Sequence, residues 1–394
     1  MGDESIRFLH LGDTHFGAHY AQRPKNLHRR AYGELFFQKV EEVVNKAITE
    51  HEVDFIIHSG DFFNRSQPSP EIVDRGIKAF QLASKKEIPV FILPGNHERS
   101  RLPLGLIPFT DHETIKLFRK PCSYIYEKNG IIIKITGFPY IRRNVNLKFD
   151  SLVKRAWCNS NGKNTKRPNY SILMIHQLVE GSCIENYTFR KGGHNVILFQ
   201  QIPNWFNYVA CGHVHRFQFL YSTKVHLSHS TSRFYSIEQD CDSHKWQFTD
   251  RQSIAFTPFK DPIISYTGSP ERVSFAERNE PKGYIIGHLR LLPSEPRIQT
   301  ARFQFYELNA IRMVYLVWDL NKANIDDYIN LTLKELYRIH SESFPPRNKR
   351  DTLLTAILKV KIKGNGSYSS IKINDLRQEA KRLDIYLTFS YSST

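Results

Sequence analysis

Polar residues that can bind metal ions stand at the ends of five apolar runs of the sequence. In chain order, the runs end on Asp13-Thr14-His15, Gly60-Asp61, Gly95-Asn96-His97-Glu98, His176 and Gly212-His213-Val214-His215. A single histidine at the end of a strand is usually an ordinary surface residue. Five polar endings at corresponding positions indicate a shared site, because ligand sites of α/β sheets assemble at the carboxyl edge of the strands.

The types and spacing of these residues favour a centre with two metal ions. Asp13 and His15 are two residues apart, as are His213 and His215, and in an extended chain this spacing places both side chains on one side. Carboxylate, amide and imidazole ligands without cysteine suit manganese, iron or zinc. Seven candidate ligands are too many for one ion, but they fit two octahedral sites if one carboxylate bridges. Two ions about 3.5–4 Å apart are the usual device for in-line displacement at phosphorus.

The elements that must position these residues read as strands alternating with helices. Six apolar runs predict strands, at 6–13, 53–61, 88–98, 131–139, 170–177 and 207–216. Two segments between the first three runs have helical periodicity, 31–50 and 69–86. This alternation predicts an α/β layered fold.

Outside this α/β pattern, three segments of the sequence have other compositions, and they suggest a division into two domains. Residues 141–168 are rich in Lys and Arg and read as an exposed basic loop, and 221–258 read as a polar, irregular insertion. In LKVKIK (358–363) apolar residues alternate with lysines, which indicates a sheet with one buried face. We therefore predict a first domain over 1–307 and a small α+β domain over 308–394 that presents a lysine-rich face.

Composition narrows the class of protein. The 394 residues include 55 Lys and Arg against 39 Asp and Glu, a net charge of +16. That charge is consistent with a solvated surface and favours a polyanionic partner such as nucleic acid. Five scattered cysteines without a C-x-x-C pair indicate neither a disulfide framework nor a thiolate zinc site. Without a membrane-length apolar run or a secretory signal, we expect no membrane association and a cytoplasmic (nucleoid-associated) or nuclear location.

The motifs carry a resemblance to a known family. GDTH, GDFF, GNHE, a histidine after an apolar run, and GHVH match in order the motif series of calcineurin-like metallophosphoesterases. FLHLGDTHFG, IPVFILPGNHER and especially YTGSPERVSFAERNEPKGY (266–284) resemble the DNA double-strand-break repair nucleases of the Mre11/SbcD family. The resemblance covers roughly residues 6–300, and 308–394 is more loosely similar to that family's capping domain. It implies a layered metallophosphoesterase β-sandwich flanked by helices, with a small C-terminal α+β DNA-capping domain.

The resemblance also implies a role for each site residue. One manganese ion would take Asp13, His15, Asp61 and His215, and the other would take Asp61, Asn96, His176 and His213, with Asp61 bridging. His97 matches the family's catalytic histidine, which is not a ligand, and would stabilise the phosphorane charge or protonate the leaving oxygen. Glu98 would orient His97, and Gly95 would permit a sharp turn.

One departure from the family concerns Asn64, which follows GDFF where the family has a histidine associated with exonuclease action. Asparagine can bind a phosphate but cannot deliver a proton at neutral pH. The resemblance therefore implies single-strand endonuclease activity in double-strand-break repair more directly than 3′–5′ exonuclease activity on duplex ends.

The resemblance further implies a coiled-coil SMC-like ATPase partner, although the family's helical ATPase-binding segment is not identified up to Thr394. The family dimerises through helices near 102–118, a segment that carries Leu102, Leu104, Leu106 and Ile107. A homodimer interface and an internally packed helix both fit that segment.

We expect DNA contacts from the lysine face at 359–363 and from basic residues near the motifs, Arg99, Arg101, Arg142, Arg143 and Lys148. Two alternatives stay open. One is a metallophosphatase or phosphodiesterase with a small-molecule or protein substrate, and the other is a non-catalytic scaffold subunit that binds DNA ends. Substituting His97 separates the scaffold from the nuclease, because only catalysis depends on that residue.

Overall fold

The protein is described by a computed structural model that covers residues 5–18, 27–98, 106, 113–161, 167–184, 187–189, 193–220, 236–240, 245–249, 254–258, 262–291, 298–342, 356–364 and 370–392. The chain forms two compact units. The first comprises Met1–Ala18, Phe36–Glu271 and Glu280–Leu308. The second comprises His19–Leu35, Arg272–Asn279 and Asn309–Thr394. The domain boundary placed after residue 307 stays a prediction.

The described elements, numbered in chain order, comprise helices and strands. The helices are α1 (Leu27–Thr49), α2 (Pro70–Ala79), α3 (Gln81–Lys85), α4 (Val145–Cys158), α5 (Ile325–Glu342) and α6 (Ser370–Arg382). The first twelve strands are β1 (Ser5–Leu11), β2 (Phe55–His58), β3 (Val90–Ile92), β4 (Ile115–Leu117), β5 (Cys122–Lys128), β6 (Ile131–Gly137), β7 (Ser160–Asn161), β8 (Tyr170–His176), β9 (Leu178–Val179), β10 (Cys183–Ile184), β11 (Tyr187–Thr188) and β12 (Val196–Ile197). The others are β13 (Tyr208–Gly212), β14 (Gln218–Leu220), β15 (Ser236–Asp240), β16 (Lys245–Thr249), β17 (Ile254–Pro258), β18 (Ile263–Tyr266), β19 (Lys282–Leu291), β20 (Ile298–Leu308), β21 (Arg312–Asp319), β22 (Ala356–Lys363) and β23 (Ile385–Ser392).

Two large sheets pack face to face in the first unit. One has nine strands in the order β17-β16-β15-β20-β19-β1-β2-β3-β4, and the other has seven in the order β14-β18-β13-β8-β6-β5-β7. Their facing side chains form one buried cluster, to which Phe8 and Phe91 contribute from the first sheet and Ile172 and Tyr208 from the second. The predicted α/β class and the layered sandwich are therefore confirmed.

Parallel pairing brings the ends of the functional strands together. In the first sheet β1, β2 and β3 are parallel neighbours, and in the second β6, β8 and β13 are parallel neighbours. Parallel neighbours present their carboxyl ends at a common edge, where ligand sites form. The polar residues that end β8 or follow β1, β2, β3 and β13 are therefore placed at the carboxyl ends of neighbouring strands rather than scattered.

The prediction of a basic loop over 141–168 is wrong for about half of its length, because 145–158 form α4. This helix buries Val145, Phe149, Val153 and Ala156, which lie in one cluster with residues of β8 and β13. Their near-helical spacing marks an apolar stripe. The Lys and Arg residues between them are exposed, and they dominated the composition of the segment.

The prediction of an irregular insertion over 221–258 is also wrong for the residues that are described. β15, β16 and β17 pair antiparallel with one another, and β15 pairs with β20. These three strands extend the nine-stranded sheet, and a pairing partner some sixty residues away along the chain cannot be read from local composition.

Few of the residues proposed for dimer formation are described. Leu102, Leu104 and Ile107 lie outside the described residues, whereas Leu106 is fully buried. The end of the segment forms β4, the edge strand of the nine-stranded sheet, so the helix predicted for this neighbourhood does not extend to residue 115.

The second unit contains a three-stranded parallel sheet in the order β21-β22-β23. Leu358, Val360 and Ile362 are buried against α5 and α6 residues such as Leu336 and Leu376. The alternating residues Lys359, Lys361 and Lys363 lie on the other face, partly or fully exposed. The one-sided burial predicted from the LKVKIK alternation is therefore observed.

Among the described residues, no helix combines the length and the apolar character that crossing a bilayer requires.

Candidate metal centre

The loops after β1, β2 and β3 are tied together by backbone hydrogen bonds. The Asp13 amide donates to the Gly60 carbonyl at 2.9 Å, and the His15 amide donates to the Asp61 carbonyl at 3.0 Å. The amide of His97 donates to Asp61 Oδ1 at 2.8 Å. Three polar strand endings therefore form one connected unit, in which Asp61 occupies the middle position.

Four of the predicted ligands form a compact group. One donor atom from each of Asp13, His15, Asp61 and His215 lies within 4.8 Å of all the others. His15 Nε2 and His215 Nε2 are 2.9 Å apart, and His15 Nε2 is 3.7 Å from Asp61 Oδ2. This group has the same members as the first ligand set inferred from the resemblance.

The other predicted ligands surround the amide oxygen of Asn96. His176 Nε2 lies 2.9 Å from Asn96 Oδ1 and His213 Nδ1 lies 2.7 Å from the same oxygen. His176 Nε2 is also 3.4 Å from Asp61 Oδ2. Asp61 therefore borders both groups, and all seven predicted ligands are brought together, whereas a bridging role for Asp61 stays a prediction.

The donor set fits divalent metal ions. Two imidazole nitrogens 2.9 Å apart, those of His15 and His215, satisfy each other only if a proton lies between them. A cation can take the place of that proton, and the buried carboxylates of Asp13 and Asp61 balance its charge. Oxygen and imidazole donors without thiolate match manganese, iron or zinc and do not distinguish between them.

Four of the seven predicted ligands have an unusual backbone conformation. Asp13, His15, Asp61 and His213 have positive φ values of 50°, 45°, 50° and 88°. Left-handed backbone costs a non-glycine residue about 1–3 kcal/mol and clusters at functional sites. The expectation that Asp13 and His15 converge through an extended chain is therefore wrong, since both lie beyond β1 in the left-handed region.

The carboxylates around His176 favour the charged form of its imidazole. Burial alone would lower the pKa of His176, but the charge and hydrogen bond of Asp61 and the charge of Asp13 raise it to about 9. The Nδ1–H of His176 donates to the Ser59 carbonyl at 2.9 Å, which leaves Nε2 as the atom that faces Asp61 and Asn96. A metal ion would have to displace the proton from this nitrogen.

The neighbouring His213 has the opposite tendency. Burial, together with the charge of His176, lowers the pKa of His213 to about 3. It is therefore a neutral imidazole at physiological pH, the form that binds a metal.

His97 lies beside the ligand groups without belonging to them. Its Nδ1–H donates to the backbone carbonyl of Asn64 at 2.7 Å, and its Nε2 is 3.9 Å from Asp61 Oδ2. The side chain is 37 % exposed, and its ring centroid is 4.7 Å from that of His15. His97 is thus oriented with one nitrogen toward the cluster and toward solvent. Asn64 contributes its carbonyl to this orientation, while the catalytic role expected of its side chain stays a prediction.

Glu98 was predicted to orient His97, but its contacts support a different role. The buried carboxylate of Glu98 accepts the Phe63 amide at 2.8 Å and the Gly95 amide at 2.7 Å. Burial and the charge of Asp61 raise the pKa of Glu98 to about 8. Glu98 therefore clamps the loop after β2 to the loop after β3.

Gly95 also serves a different purpose from the one predicted. It does not have a positive φ, so no special turn requires a glycine. A Cβ at Gly95 would lie 2.2 Å from Asp61 Oδ1. Glycine is needed because the backbone passes directly against the central carboxylate.

The predicted DNA contacts are only partly described. Arg99 and Arg101 lie outside the described residues. Arg142, Arg143 and Lys148 are exposed at the start of α4 and just before it. Their binding of DNA stays a prediction.

Sequence reasoning missed Tyr140, an aromatic residue beside the ligands. Its ring centroid lies 5.6 Å from that of His213 and 6.0 Å from that of His176. The Tyr140 amide donates to the Pro94 carbonyl at 3.1 Å. The signal was present, because GFPY follows an apolar run in the same way as the ligand motifs.

Sequence reasoning also missed a buried hydrogen-bond network next to the predicted ligands. His10 Nδ1 lies 2.8 Å from the Tyr208 hydroxyl, and His10 Nε2 lies 3.1 Å from Ser59 Oγ. Burial, with a smaller effect from the charge of His58, lowers the pKa of His10 to about 3. Since the Ser59 carbonyl accepts the proton of His176 Nδ1, this neutral network supports a predicted ligand. A histidine inside an otherwise apolar run was its only sequence signal.

Comparison with known proteins agrees with this geometry. The sequence profile of the calcineurin-like phosphoesterase family matches residues 6–217, a range that contains all seven predicted ligands. The DNA double-strand break repair protein Mre11 of Methanococcus maripaludis is 27% identical over 359 residues, which are 86% of this chain and 76% of the relative. The protein of the same name from Saccharolobus solfataricus is 28% identical over 218 residues, 53% of this chain and 49% of the relative. That of Methanocaldococcus jannaschii is 28% identical over 216 residues, 54% of this chain and 52% of the relative. The alignments with the latter two thus span about half of those proteins. The resemblance predicted from the motifs is confirmed.

Proposed function

Because the chain belongs to the calcineurin-like phosphoesterase family, whose members are metal-dependent hydrolases, we propose that it hydrolyses DNA phosphodiester bonds with two divalent ions. Manganese is the proposed metal, and endonucleolytic cleavage of single strands is the proposed reaction. The similarity to the archaeal Mre11 proteins supports a role in processing DNA double-strand breaks.

One observation carries this proposal. Two groups of candidate ligand side chains adjoin Asp61, and the partly exposed imidazole of His97 lies next to them. A centre that held a metal ion only for structural stability would need one closed ligand set. Two adjoining sets with an accessible imidazole match the requirements of phosphodiester hydrolysis.

Divalent ions held by these residues would neutralise phosphate charge and lower the pKa of the attacking water. The chain supplies the rest. The Asn64 carbonyl holds the Nδ1–H of His97, so that Nε2 can hold or release a proton where a substrate oxygen arrives. Asp61 is kept in place by the amide of His97, which links the catalytic histidine to the shared ligand.

The surroundings of the centre favour a nucleic acid over a small ester. The half-buried ring of Tyr140 forms a wall beside His176 and His213, where it could stack against an unpaired base. Arg142 and Arg143 follow in an exposed position. Together with the net charge of +16, they supply positive groups for a phosphate backbone.

Several finer points extend the proposal. We propose a nuclease domain over 1–307 and a DNA-capping domain over 308–394. We also propose a homodimer, a coiled-coil ATPase partner and a cytoplasmic or nuclear location close to DNA. The 3′–5′ exonuclease activity on duplex ends is proposed as the secondary activity, because Asn64 cannot donate a proton as the family's histidine does.

The test uses purified protein with manganese and two DNAs, a covalently closed single-stranded circle and a linear duplex with a labelled 3′ end. Each DNA is incubated with and without chelator. His97→Ala is compared with His194→Ala, which removes an exposed histidine outside the ligand loops. We expect the wild type and His194→Ala to cut the circle, and we expect chelator or His97→Ala to abolish cutting.

Other outcomes would assign the protein elsewhere. Hydrolysis of a small aryl phosphodiester without cleavage of either DNA would retain the metal chemistry and refute DNA as the substrate. Tight DNA binding without any hydrolysis would favour the scaffold subunit. Digestion of the duplex from its 3′ end would show that exonuclease action tolerates Asn64.

A further inference from the structure

The segment 266–282 makes up most of the motif 266–284, the most family-specific of the sequence, yet none of its residues is a predicted ligand. It begins at the end of β18 and reaches the start of β19. Its first residue, Tyr266, donates its hydroxyl proton to the Gln177 carbonyl at 2.8 Å and accepts the Val179 amide at 2.9 Å. This end of the segment therefore holds the loop that directly follows the predicted ligand His176.

Other residues of the segment hold the loop of His215. Lys282 is fully buried, and its ammonium group donates to the His215 carbonyl at 2.8 Å and to Ser269 Oγ at 2.9 Å. The Ser269 amide approaches the same carbonyl at 3.4 Å. Gly268 has a φ of +69°, and a Cβ there would lie 2.7 Å from that carbonyl oxygen. The carbonyl of a predicted metal ligand is thus enclosed by three residues of one segment.

A buried ammonium group is costly and is retained where its hydrogen bonds have a use. Here one of these bonds is made to the backbone of His215, whose imidazole Nε2 is 2.9 Å from His15 Nε2 in the first ligand group. Fixing the peptide of a ligand restricts the directions that its side chain can take. A ligand displaced by a fraction of an ångström loses much of its contribution to metal binding.

We propose that Lys282 and Ser269 are positioning residues that hold the His215 imidazole in the first ligand group and thereby set the affinity of that group for its metal ion. The inference rests on the proposed metal function. It gives the most family-specific motif of the chain a role in positioning the ligand loops. Lys282 and Ser269 hold the loop of His215, and Tyr266 holds the loop that follows His176.

The test measures manganese binding to the metal-free protein by calorimetry, so that it does not depend on nuclease activity. Lys282→Met removes the ammonium group while keeping a long apolar side chain. Its matched control is Lys134→Met, because Lys134 also donates to a backbone carbonyl, that of Trp157, at 2.8 Å. We expect Lys282→Met to weaken manganese binding at least tenfold and Lys134→Met to leave it unchanged.

A double-mutant cycle separates positioning from general damage. If Lys282 acts through His215, then Lys282→Met has no further effect on manganese affinity in a His215→Ala protein. An equal loss in both backgrounds would refute the inference, as would wild-type affinity in Lys282→Met. Should Lys282→Met fail to fold, Ser269→Ala is placed in the same cycle, with the same expectations.

The two proposals fail in different ways. A wild-type protein that binds no manganese would refute the proposed metal function. A wild-type protein that binds manganese, together with a Lys282 variant that binds it equally well, would refute the positioning role and leave the proposed function intact.

Discussion

Replacing Gly95 with alanine tests the geometry of the centre most directly. The new Cβ would lie 2.2 Å from Asp61 Oδ1 and 2.3 Å from the Asp61 amide nitrogen. Ordinary carbon contacts are about 3.5–4.0 Å, so one of the two chain segments must move by more than about 1 Å. The Gly95 amide donates to Glu98, and Asp61 Oδ1 accepts the amide of His97. Movement of either segment therefore disturbs a contact that positions the central carboxylate.

The size of the effect follows from that displacement. Misplacing a catalytic group by about 1 Å costs on the order of 10²-fold in rate, and Asp61 adjoins both ligand groups. Overpacking lowers the free energy of unfolding by about 1–3 kcal/mol. A domain whose free energy of unfolding is about 5–15 kcal/mol can tolerate this loss. We therefore expect Gly95→Ala to be folded, to cut the single-stranded circle about 100-fold more slowly, and to bind manganese more weakly.

The control is Gly193→Ala, because among the described residues a Cβ there would approach the Val196 side chain, at 3.2 Å, and no backbone or ligand atom. Circular dichroism establishes folding, calorimetry measures manganese affinity and gel electrophoresis measures cleavage of the circle. If Gly95→Ala binds manganese and cleaves the circle as the wild type does, the reasoning is refuted. Asp61 would then not be shared by both ions, and a glycine at position 95 would not be needed to keep the Asp61 carboxylate in place.

Two further predictions follow from the same contacts. Because the pKa of His176 is raised to about 9 in the metal-free protein, its proton competes with the metal at lower pH, and manganese affinity should rise about tenfold per pH unit from 7 to 9. Calorimetry in buffers of different ionisation enthalpy should detect the released proton. A manganese affinity that does not change with pH would contradict this prediction. Glu98→Ala should lower the free energy of unfolding by about 2 kcal/mol or more, because the amides of Phe63 and Gly95 lose their acceptor. Glu98→Gln should lower it less. Equal denaturation midpoints for the two variants would contradict the role of Glu98 as a clamp between the two loops.

The sequence alone predicted the candidate ligands and the order of the elements that carry them. A continuous apolar run indicates a strand that is buried on both faces. For this reason the positions of β1, β2 and β3 along the chain could be predicted from the sequence. The ligands could be identified because metal chemistry demands particular residue types, and those types stand at the ends of strands. Residue type and position along the chain therefore sufficed to predict that Asp13, Asp61 and His215 lie together, and the structure places them in one group.

Sequence reasoning failed where charge hid periodicity or where the partner was remote. The stripe of Val145, Phe149 and Val153 in α4 was present in the sequence, but the basic residues around it suggested a loop. The three strands within 236–258 join a sheet through β20, and edge strands of mixed polarity carry little local signal for such a pairing.

Only the tertiary structure decided what the supporting residues do. Glu98 was predicted to serve His97, its neighbour in sequence, but it bonds the amide of Phe63, 35 positions away. Gly95 was predicted to permit a turn, but it makes room for Asp61. Lys282 belongs to a motif that sequence reasoning could recognise without explaining, and its contact with the His215 carbonyl crosses 67 positions. The chemistry of a ligand is a property of its own side chain, whereas the function of a support depends on the residue that folding places against it.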